Sequence, residues 1–460
     1  MQFKFTNSLN KTILPVIIFV LLLIHFTPRL YGDEYHKYVK EHFGEPDDHL
    51  LYDPNKCFIV LCPDKELGKK ILKSELKLYK KYHRIFKTLT FWKNPAVVKI
   101  FANRESYVKA FNSYSSSALM AKFNAHNRQH RFIASWIQDD LIDNLIPHET
   151  AHIFVADLAR IDEINSNEGK QVLPLWVNEG IAQFFETNDE LFNYKLYTMY
   201  MAFKEKGFMP FDYFFTYTRY PQNTYYFYIQ ADILTRFLLS QKNGSKKIRN
   251  YITIFRSKVK DGKKAFNLSF PEYADLKKLE KELIAWTKAK LKKYKPDITI
   301  LNSKIAKIYK IKDYNEYLYK EVAFANVAYQ LNLNKNYKRS LLLANAAIKQ
   351  KNKFYLGKEA KIQSLFKLDK TKSAEAELSL YKKNDPKNAY RFTADLQHIK
   401  GNYCQEVDWL KKLLDIDKDN GFYICMRIAY IYNDFLGNYD RAHEYASRAK
   451  TYPQFPDEIH

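Results

Sequence analysis

The most informative residues in the chain are two histidines with a glutamate next to the first. His148, Glu149 and His152 form the sequence His-Glu-Thr-Ala-His. On a helix, residues four apart lie on one face, so both imidazoles can reach a single metal ion while the Glu149 carboxylate lies beside it. Imidazole nitrogens are good zinc ligands. Because this short pattern also arises by chance, it predicts a metal centre only if a further ligand is found.

A segment further along the chain supplies that ligand. Residues 174–182 read Pro-Leu-Trp-Val-Asn-Glu-Gly-Ile-Ala, and Glu179 lies 27 residues after His152. Residues Trp176–Phe185 are apolar around Glu179 with helical spacing, which predicts a buried setting for its carboxylate. A buried carboxylate is costly unless it is paired or binds a cation. We therefore predict that Glu179 binds the same ion as the two histidines.

The combined pattern HExxH…PxWxxEGxA resembles the gluzincin family of zinc metallopeptidases. The resemblance covers about residues 95–245 and implies an α+β zincin-like domain. It also implies one Zn²⁺ per chain, bound by His148, His152 and Glu179. By the same resemblance, Glu149 is the general base in a peptide hydrolysis that uses a zinc-activated water.

A third element lies near the end of this region. Tyr228-Ile229-Gln230-Ala231 resembles the Tyr-x-Gln-small sequence that opens a later helix in related exported metallopeptidases. A phenol hydroxyl there can stabilise a developing oxyanion. Tyr228 is our catalytic candidate and Tyr226 the reserve. Ordinary packing is the alternative, because the chain contains 36 tyrosines.

The residue four positions after the third ligand departs from the family pattern. Relatives often have an acid there, which can orient a metal-bound histidine through its second ring nitrogen. Gln183 occupies that position, and its amide oxygen can still accept a hydrogen bond without carrying a charge. Asp157, five residues after His152, is the alternative source of a carboxylate.

Apolar spacing predicts the elements that must hold the centre in place. Pro147 is tolerated in a first helical turn, so we expect the motif helix to begin near Asn144 or to kink before His148. It should run towards Arg160. The predicted strands are Cys57–Cys62, Val97–Phe101 and Arg131–Trp136, and the predicted helices before the motif are Lys65–Thr88 and Arg104–Asn112.

Two features bear on the substrate. The strand Arg131–Trp136 resembles the edge strand that lies along the active cleft in this family, and an exposed edge can bind an extended peptide by main-chain hydrogen bonds. Residues 139–190 carry 12 acids and 2 bases. An acidic centre suits a divalent cation and favours cationic peptide segments.

Residues 315–460 read as helical and repetitive. Two similar segments open with Gly401-Asn402-Tyr403 and Gly437-Asn438-Tyr439, and weaker copies start at Lys335 and Asp369. The four starts are 34, 32 and 36 residues apart. This region resembles the tetratricopeptide repeat, whose unit of about 34 residues is a pair of antiparallel helices. The resemblance implies an all-α solenoid with a concave binding surface, and a plain helical bundle is the alternative.

The amino terminus predicts export. Ile13–Phe26 is an apolar run that follows Lys4 and Lys11, as in a secretory signal, with a weak cleavage site at Gly32. The run is short for a membrane-spanning helix, which needs about 20 apolar residues. We therefore expect a periplasmic, extracellular or outward-facing anchored protein, with residues 1–32 either cleaved or retained as an anchor.

Four cysteines in 460 residues are too few for a disulfide scaffold. Cys57 and Cys62 fall in one β-type run and are predicted to point to opposite faces, which makes them poor partners. Cys404 and Cys425 lie on neighbouring predicted helices. They either pair after export or remain buried thiols.

The chain is strongly basic, with a net charge of +23. Its 46% apolar residues exclude a disordered chain, and its 12 glycines and 15 prolines argue against a turn-rich all-β fold. Residues 245–300 carry 16 bases and 6 acids, so the excess is densest there. We find no recognition motif and expect no nucleic-acid partner. These basic helices suit an anionic membrane or envelope surface, or form a solvated face with no partner.

These patterns predict five segments. They are a signal or anchor at 1–32, the N-terminal part of the catalytic region at 33–95, the zinc peptidase domain at 96–245, a basic helical connector at 246–314 and the repeats at 315–460. The predicted function is an exported zinc metallopeptidase that acts on a peptide or protein and binds a protein partner through its repeats. The alternative is a non-catalytic repeat protein that binds its partner as a scaffold and has a structural or degenerate zinc site.

Overall fold

The structure is a computed structural model that describes most of the chain between residues 36 and 452. The predicted signal segment lies outside the described residues, as does the end of the connector. None of the helices in the described part has the length and hydropathy needed to cross a membrane. Within 36–452, the residues not described are 38, 42, 54–56, 88–94, 112–117, 126–127, 160–172, 187–188, 295–318 and 349–354.

A five-stranded mixed sheet forms the start of the fold, with strand order β1-β2-β3-β5-β4. The three central strands run parallel to one another, and each outer strand runs antiparallel to its neighbour. The sequence predicted all three central strands. The strands are β1 His49–Tyr52, β2 Phe58–Cys62, β3 Ala96–Phe101, β4 Ala118–Ala125 and β5 Arg128–Trp136.

Helices make up most of the remaining residues up to 240. The two helices predicted before the motif are confirmed within two residues at their ends, and the motif helix begins near its predicted start. These helices are α1 Lys65–Phe86, α2 Arg104–Phe111, α3 Ile146–Leu158, α4 Leu175–Phe185, α5 Asp189–Glu205, α6 Phe211–Phe214 and α7 Thr224–Ser240.

Both faces of the central strands are buried, which explains their nearly continuous apolar sequences. Val60, Val98 and Ile133 point to the face that packs in the large core cluster containing α1 and α3. Their neighbours on the same strands point to the other face, where Tyr107 of α2 covers them. The sheet is therefore a rigid layer behind the motif helix.

The prediction that Arg131–Trp136 is an edge strand is wrong. In β5, Ile133 is paired with Val98 of β3 on one side and with Met120 of β4 on the other. The edge strand is β4, whose sequence ALMAKFNA contains no β-branched residue and so has little strand propensity of its own. Because only two residues separate it from β5, we attribute its strand conformation to hairpin pairing.

The described part of the predicted connector is mostly helical. It contains α8 Gly244–Ile254, a π-helical turn at Phe255–Val259, α9 Gly262–Ser269 and α10 Leu276–Tyr294. Tyr251, Phe266 and Leu283 are buried in the large core cluster. The connector thus packs on the preceding sheet-and-helix region as well as carrying the basic charge.

Eight helices follow in consecutive pairs among the described residues from 319 to 449, which is compatible with a helical repeat region. The second helix of each pair begins two residues after one of the four predicted starts. Each of those starts has a positive φ, between 59° and 74°, and two of them are glycines, for which this conformation is least costly. The helices are α11 Tyr319–Leu333, α12 Tyr337–Ile348, α13 Tyr355–Lys367, α14 Thr371–Asn384, α15 Pro386–Ile399, α16 Tyr403–Ile416, α17 Gly421–Asp434 and α18 Tyr439–Ala449.

The first repeat helix is part of the core of the preceding region. Asn326 of α11, buried, donates a hydrogen bond of 2.8 Å to the buried hydroxyl of Tyr194 on α5. Gly207 lies so close to α11 that a Cβ atom there would be 2.9 Å from Val327 and 3.1 Å from Leu331. The apolar core therefore continues across the boundary predicted at residue 315.

The four cysteines all lie in the described part of the chain, and none of them forms a disulfide. Cys404 is exposed and Cys425 is buried, so the pairing considered for these two is not formed, and only one of them is a buried thiol. Cys57 and Cys62 are both buried, and burial raises the pKa of each thiol to about 11. These thiols are therefore packing residues at neutral pH.

Candidate metal centre

The motif helix α3 is preceded by a π-helical turn at Leu141–Leu145. Pro147 lies in the first turn of α3, where the absence of an N–H removes no helical hydrogen bond. The π-helical turn just before α3 is wider than an α-helical turn. The helical geometry therefore changes there, ahead of the proline. His148 and His152 therefore lie on a regular stretch of helix just after this junction.

Helix α1 packs against α3. The Tyr82 ring stacks on Phe154 with centroids 4.2 Å apart, and its hydroxyl donates a hydrogen bond of 3.1 Å to the Phe154 carbonyl. Thr150, which lies between the two histidines, donates a hydrogen bond of 2.6 Å from Oγ1 to Oε2 of buried Glu75. These contacts fix the rotation of α3 about its axis, and with it the direction of both imidazoles.

The third ligand lies on α4, which packs closely against α7. Trp176, fully buried, donates a hydrogen bond of 2.9 Å to the hydroxyl of Tyr251 and so anchors the start of α4. At Gly180 a Cβ atom would lie 2.7 Å from the Ala231 carbonyl oxygen and would also collide with Thr235. The glycine after Glu179 therefore lets two helix backbones approach one another.

The three predicted ligands are brought together. The Nε2 atoms of His148 and His152 lie 3.4 Å and 3.7 Å from Oε2 of Glu179. One ligand atom from each residue falls within 4.8 Å of the others. A tetrahedral zinc ion with bonds of about 2.0–2.1 Å holds its ligand atoms roughly 3.3 Å apart. The two distances to Glu179 are close to that value, and the three residues could hold one metal ion.

The carboxylate of Glu179 also has the burial and the charge expected of a metal ligand. Its side chain is 1% exposed, and Oε2 has no hydrogen-bond partner among the described residues. Burial raises the pKa of Glu179, but the charges of His152 and His148 and hydrogen bonds lower it to about 2. Burial lowers the pKa of His148, but Glu179 and Glu186 raise it to about 10. The buried carboxylate is therefore ionised at neutral pH, and it favours a positive charge beside it.

The outer nitrogens of both imidazoles have oxygen partners. Nδ1 of His148 lies 3.0 Å from Oε1 of Glu186, and Nδ1 of His152 lies 3.1 Å from Oδ1 of Asn178. A proton on each Nδ1 leaves each Nε2 free to bind a metal. The proposal that Asp157 orients a histidine is not supported, because this carboxylate pairs with Arg131 instead.

Gln183 does not act as the predicted acceptor. Its Oε1 accepts a hydrogen bond from Lys195, and its Nε2 donates a bond of 2.7 Å to Oε1 of Glu186. The same Nε2 lies 3.2 Å from Nδ1 of His148. The amide turned this way because Lys195 is a stronger partner for its oxygen than an imidazole N–H.

The predicted base lies next to the cluster. Glu149 is half-buried in the first turn of α3 and makes no hydrogen bond or ion pair within the described part of the chain. Its carboxylate is therefore available to accept a proton. Glu149 is adjacent in sequence to His148, one of the three residues of the cluster.

The two tyrosine candidates have different surroundings. The Tyr228 ring lies edge-on to His148, with centroids 6.3 Å apart, and is half-buried. Tyr226 is fully buried, and its hydroxyl is directed at Sδ of Met199 at 3.9 Å. Of the two, Tyr228 is the one that lies beside a predicted ligand.

Sequence reasoning missed a third tyrosine. The Tyr220 hydroxyl donates a hydrogen bond of 2.7 Å to Oε1 of Glu179, and its ring lies 5.8 Å from that of Tyr228. Burial, the charge of Glu179 and contacts with Tyr228 raise the pKa of Tyr220, so it keeps its proton and remains a donor. Tyr220 belongs to no sequence motif. It lies in the loop before α7, and the fold of that loop brings it to Glu179. Sequence reasoning also missed Glu186, for which a signal existed in its position seven residues, or two helical turns, after Glu179.

No protein-family model matches this chain, and no curated protein matches its sequence. The function must therefore be inferred from the arrangement of the site itself.

Proposed function

We propose that this protein is a zinc-dependent metallopeptidase of the gluzincin type. The observation that carries the proposal is the buried Oε2 of Glu179, which lies within 3.7 Å of two imidazole Nε2 atoms and has no hydrogen-bond donor of its own in the described part of the chain. Such an oxygen is costly unless a cation binds it. His148, His152 and Glu179 would hold one Zn²⁺ per chain.

The roles of the surrounding residues follow from their contacts. When bound, a zinc ion supplies a Lewis acid that lowers the pKa of water and polarises a carbonyl. Glu149, which is half-buried and uncommitted, takes the proton from the attacking water and delivers it to the leaving amine. Tyr228 is the donor to the oxyanion that develops on the substrate. Tyr220 holds Glu179 in place through its hydroxyl.

An extended peptide is the substrate that the surroundings favour. Strand β4 lies at the edge of the sheet and contacts the motif helix α3. An edge strand can pair with an extended chain through its backbone groups. The paired helices of the repeat region would bind a protein partner or the substrate beyond the cleft, as in a tetratricopeptide solenoid. We further propose that the protein acts outside the cytoplasm.

The test compares zinc content with hydrolysis. We expect Glu149→Gln to bind about one zinc per chain while losing hydrolysis of a diverse peptide mixture, because it removes the base and keeps the ligands. His148→Ala and Glu179→Ala should lose the metal. Full activity of Glu149→Gln excludes it as the base, and full zinc content in either ligand variant shows that the ligand set is wrong.

One outcome would favour the non-catalytic alternative. If the zinc-loaded wild-type protein cleaves nothing in the mixture while chelator changes its binding to a partner, the metal has a structural role. Activity that disappears with chelator and returns with zinc supports the peptidase.

A further inference from the structure

The geometry points to Glu186 and Lys195 as a pair of positioning residues for His148, in place of the acid that this chain lacks at position 183. This inference rests on the proposed function, because it concerns the same metal centre. Both residues lie outside the two sequence motifs. Neither residue is a metal ligand. Their role is to fix the orientation and the tautomer of the predicted ligand His148.

Glu186 immediately follows the last residue of α4 and has an extended backbone. Its Oε1 lies 3.0 Å from Nδ1 of His148 and accepts a hydrogen bond of 2.7 Å from Gln183. When Nε2 of the imidazole binds a metal, Nδ1 carries the ring proton and donates a hydrogen bond to this carboxylate. A carboxylate in that place makes His148 a stronger ligand and prevents the ring from turning.

Lys195 of α5 holds the other side of this carboxylate. It is 1% exposed, and its Nζ lies 2.9 Å from Oε2 of Glu186 and 3.3 Å from Oδ2 of Asp232. It also donates a hydrogen bond to Oε1 of Gln183. A buried ammonium is stable only when paired, so these three acceptors confine it to one position.

The arrangement divides the two oxygens of Glu186 between two partners. Because Oε2 is held by Lys195, Oε1 is left facing His148. Glu186 lies beyond the last turn of α4, so helical hydrogen bonds do not fix it there. Lys195 on the following helix supplies the missing constraint. Gln183 bridges the pair, since its oxygen accepts from Lys195 and its nitrogen donates to Glu186.

The experiment measures zinc affinity by competition with a chromophoric chelator. Glu186→Gln keeps the shape of the side chain but removes its charge, and we expect zinc binding to weaken by about 10–100-fold. Lys195→Gln should weaken it in the same direction, because Glu186 then loses its tether. The visible absorption bands of the cobalt-substituted protein should also shift in Glu186→Gln, since a changed imidazole alters the field at the metal.

A charge exchange provides the rescue. The double variant Gln183→Glu with Glu186→Gln moves the carboxylate to residue 183, whose side-chain nitrogen already lies 3.2 Å from Nδ1 of His148. We expect it to recover most of the lost affinity. Glu205→Gln is the matched control, because Glu205 is also a buried carboxylate, at the end of α5, but pairs with Arg339. Its zinc affinity should equal that of the wild type.

The outcomes separate this inference from the proposed function. A wild-type protein that binds no zinc refutes both. A wild type that binds zinc, with folded Glu186→Gln and Lys195→Gln variants of equal affinity, overturns only the positioning role. Melting temperatures in chelator identify any single variant that fails to fold. In that case the exchange variant decides: wild-type affinity supports the role, and a large loss refutes it.

Discussion

Replacing Glu75 by glutamine should stabilise the protein relative to the wild type, by an amount that grows as the pH rises. Glu75 is fully buried beneath the motif helix, and Oε2 accepts a hydrogen bond from Thr150. Oε1 has no hydrogen-bond partner among the described residues. Burial raises the pKa of this carboxyl from 4.5 to about 8, although the Thr150 hydrogen bond partly opposes the shift. The folded protein therefore keeps Glu75 protonated at neutral pH.

The sign and size of the effect follow from linkage. In the unfolded chain the carboxyl loses its proton near pH 4.5, whereas in the folded protein it does so near pH 8. Between these values only the folded state binds the proton, so the free energy of unfolding falls by up to about 1.4 kcal/mol per pH unit. The contribution of Glu75 to stability is fully present below pH 4.5. Above pH 8 the free energy of unfolding has fallen by up to about 5 kcal/mol. Glu75→Gln removes this dependence.

Urea denaturation at pH 5, 6, 7 and 8 in the presence of chelator measures the difference. We expect the two proteins to be closest at pH 5 and the variant to gain an increasing advantage up to pH 8. Glu66→Gln is the matched control on α1, because Glu66 is exposed and pairs with Lys69. Its difference from wild type should not grow with pH. A Glu75→Gln difference that stays constant between pH 5 and 8 would falsify the reasoning.

Two further substitutions test the other supports of the centre. Tyr220→Phe leaves Oε1 of buried Glu179 without its donor and should lower the free energy of unfolding by about 1.5–3 kcal/mol, whereas Tyr226→Phe should change it by less than about 0.5 kcal/mol. Equal thermal stability of the two variants contradicts the assigned hydrogen bond. Gly180→Ala forces α4 away from the Ala231 carbonyl and should cost about 1–3 kcal/mol and reduce zinc binding. Wild-type zinc affinity in that variant shows that the close approach is not needed.

The ligand cluster could be predicted because it depends on local spacing and on one chemical argument. The four-residue separation of His148 and His152 fixes their common face on any helix. Glu179 followed from the cost of burying a carboxylate in an apolar helix. The repeat starts were equally local, since Gly401 and Gly437 mark left-handed turns. That these residues form a catalytic zinc site stays a prediction.

The surrounding contacts could not be predicted because tertiary packing decides them. Tyr220 reaches Glu179 across 41 residues of sequence. Gln183 was expected to face His148 through its oxygen, but Lys195, twelve residues later, takes that oxygen. Strand β4 has little strand propensity and forms through pairing with β5. In each case the deciding partner is remote in sequence or belongs to another element.

Helix α5 connects the candidate metal centre with the repeat region through two adjacent residues. Tyr194 accepts a hydrogen bond of 2.8 Å from Asn326 of the first repeat helix, and Lys195 holds Glu186 behind His148. Because successive residues on a helix differ by about 100° in direction, one helix can serve both partners without distortion. A shift of the first repeat helix would therefore move α5, and with it the carboxylate that faces His148. The first helix of the predicted repeats is thus a physical part of the environment of the candidate metal centre, and the basic connector is packed into the same core.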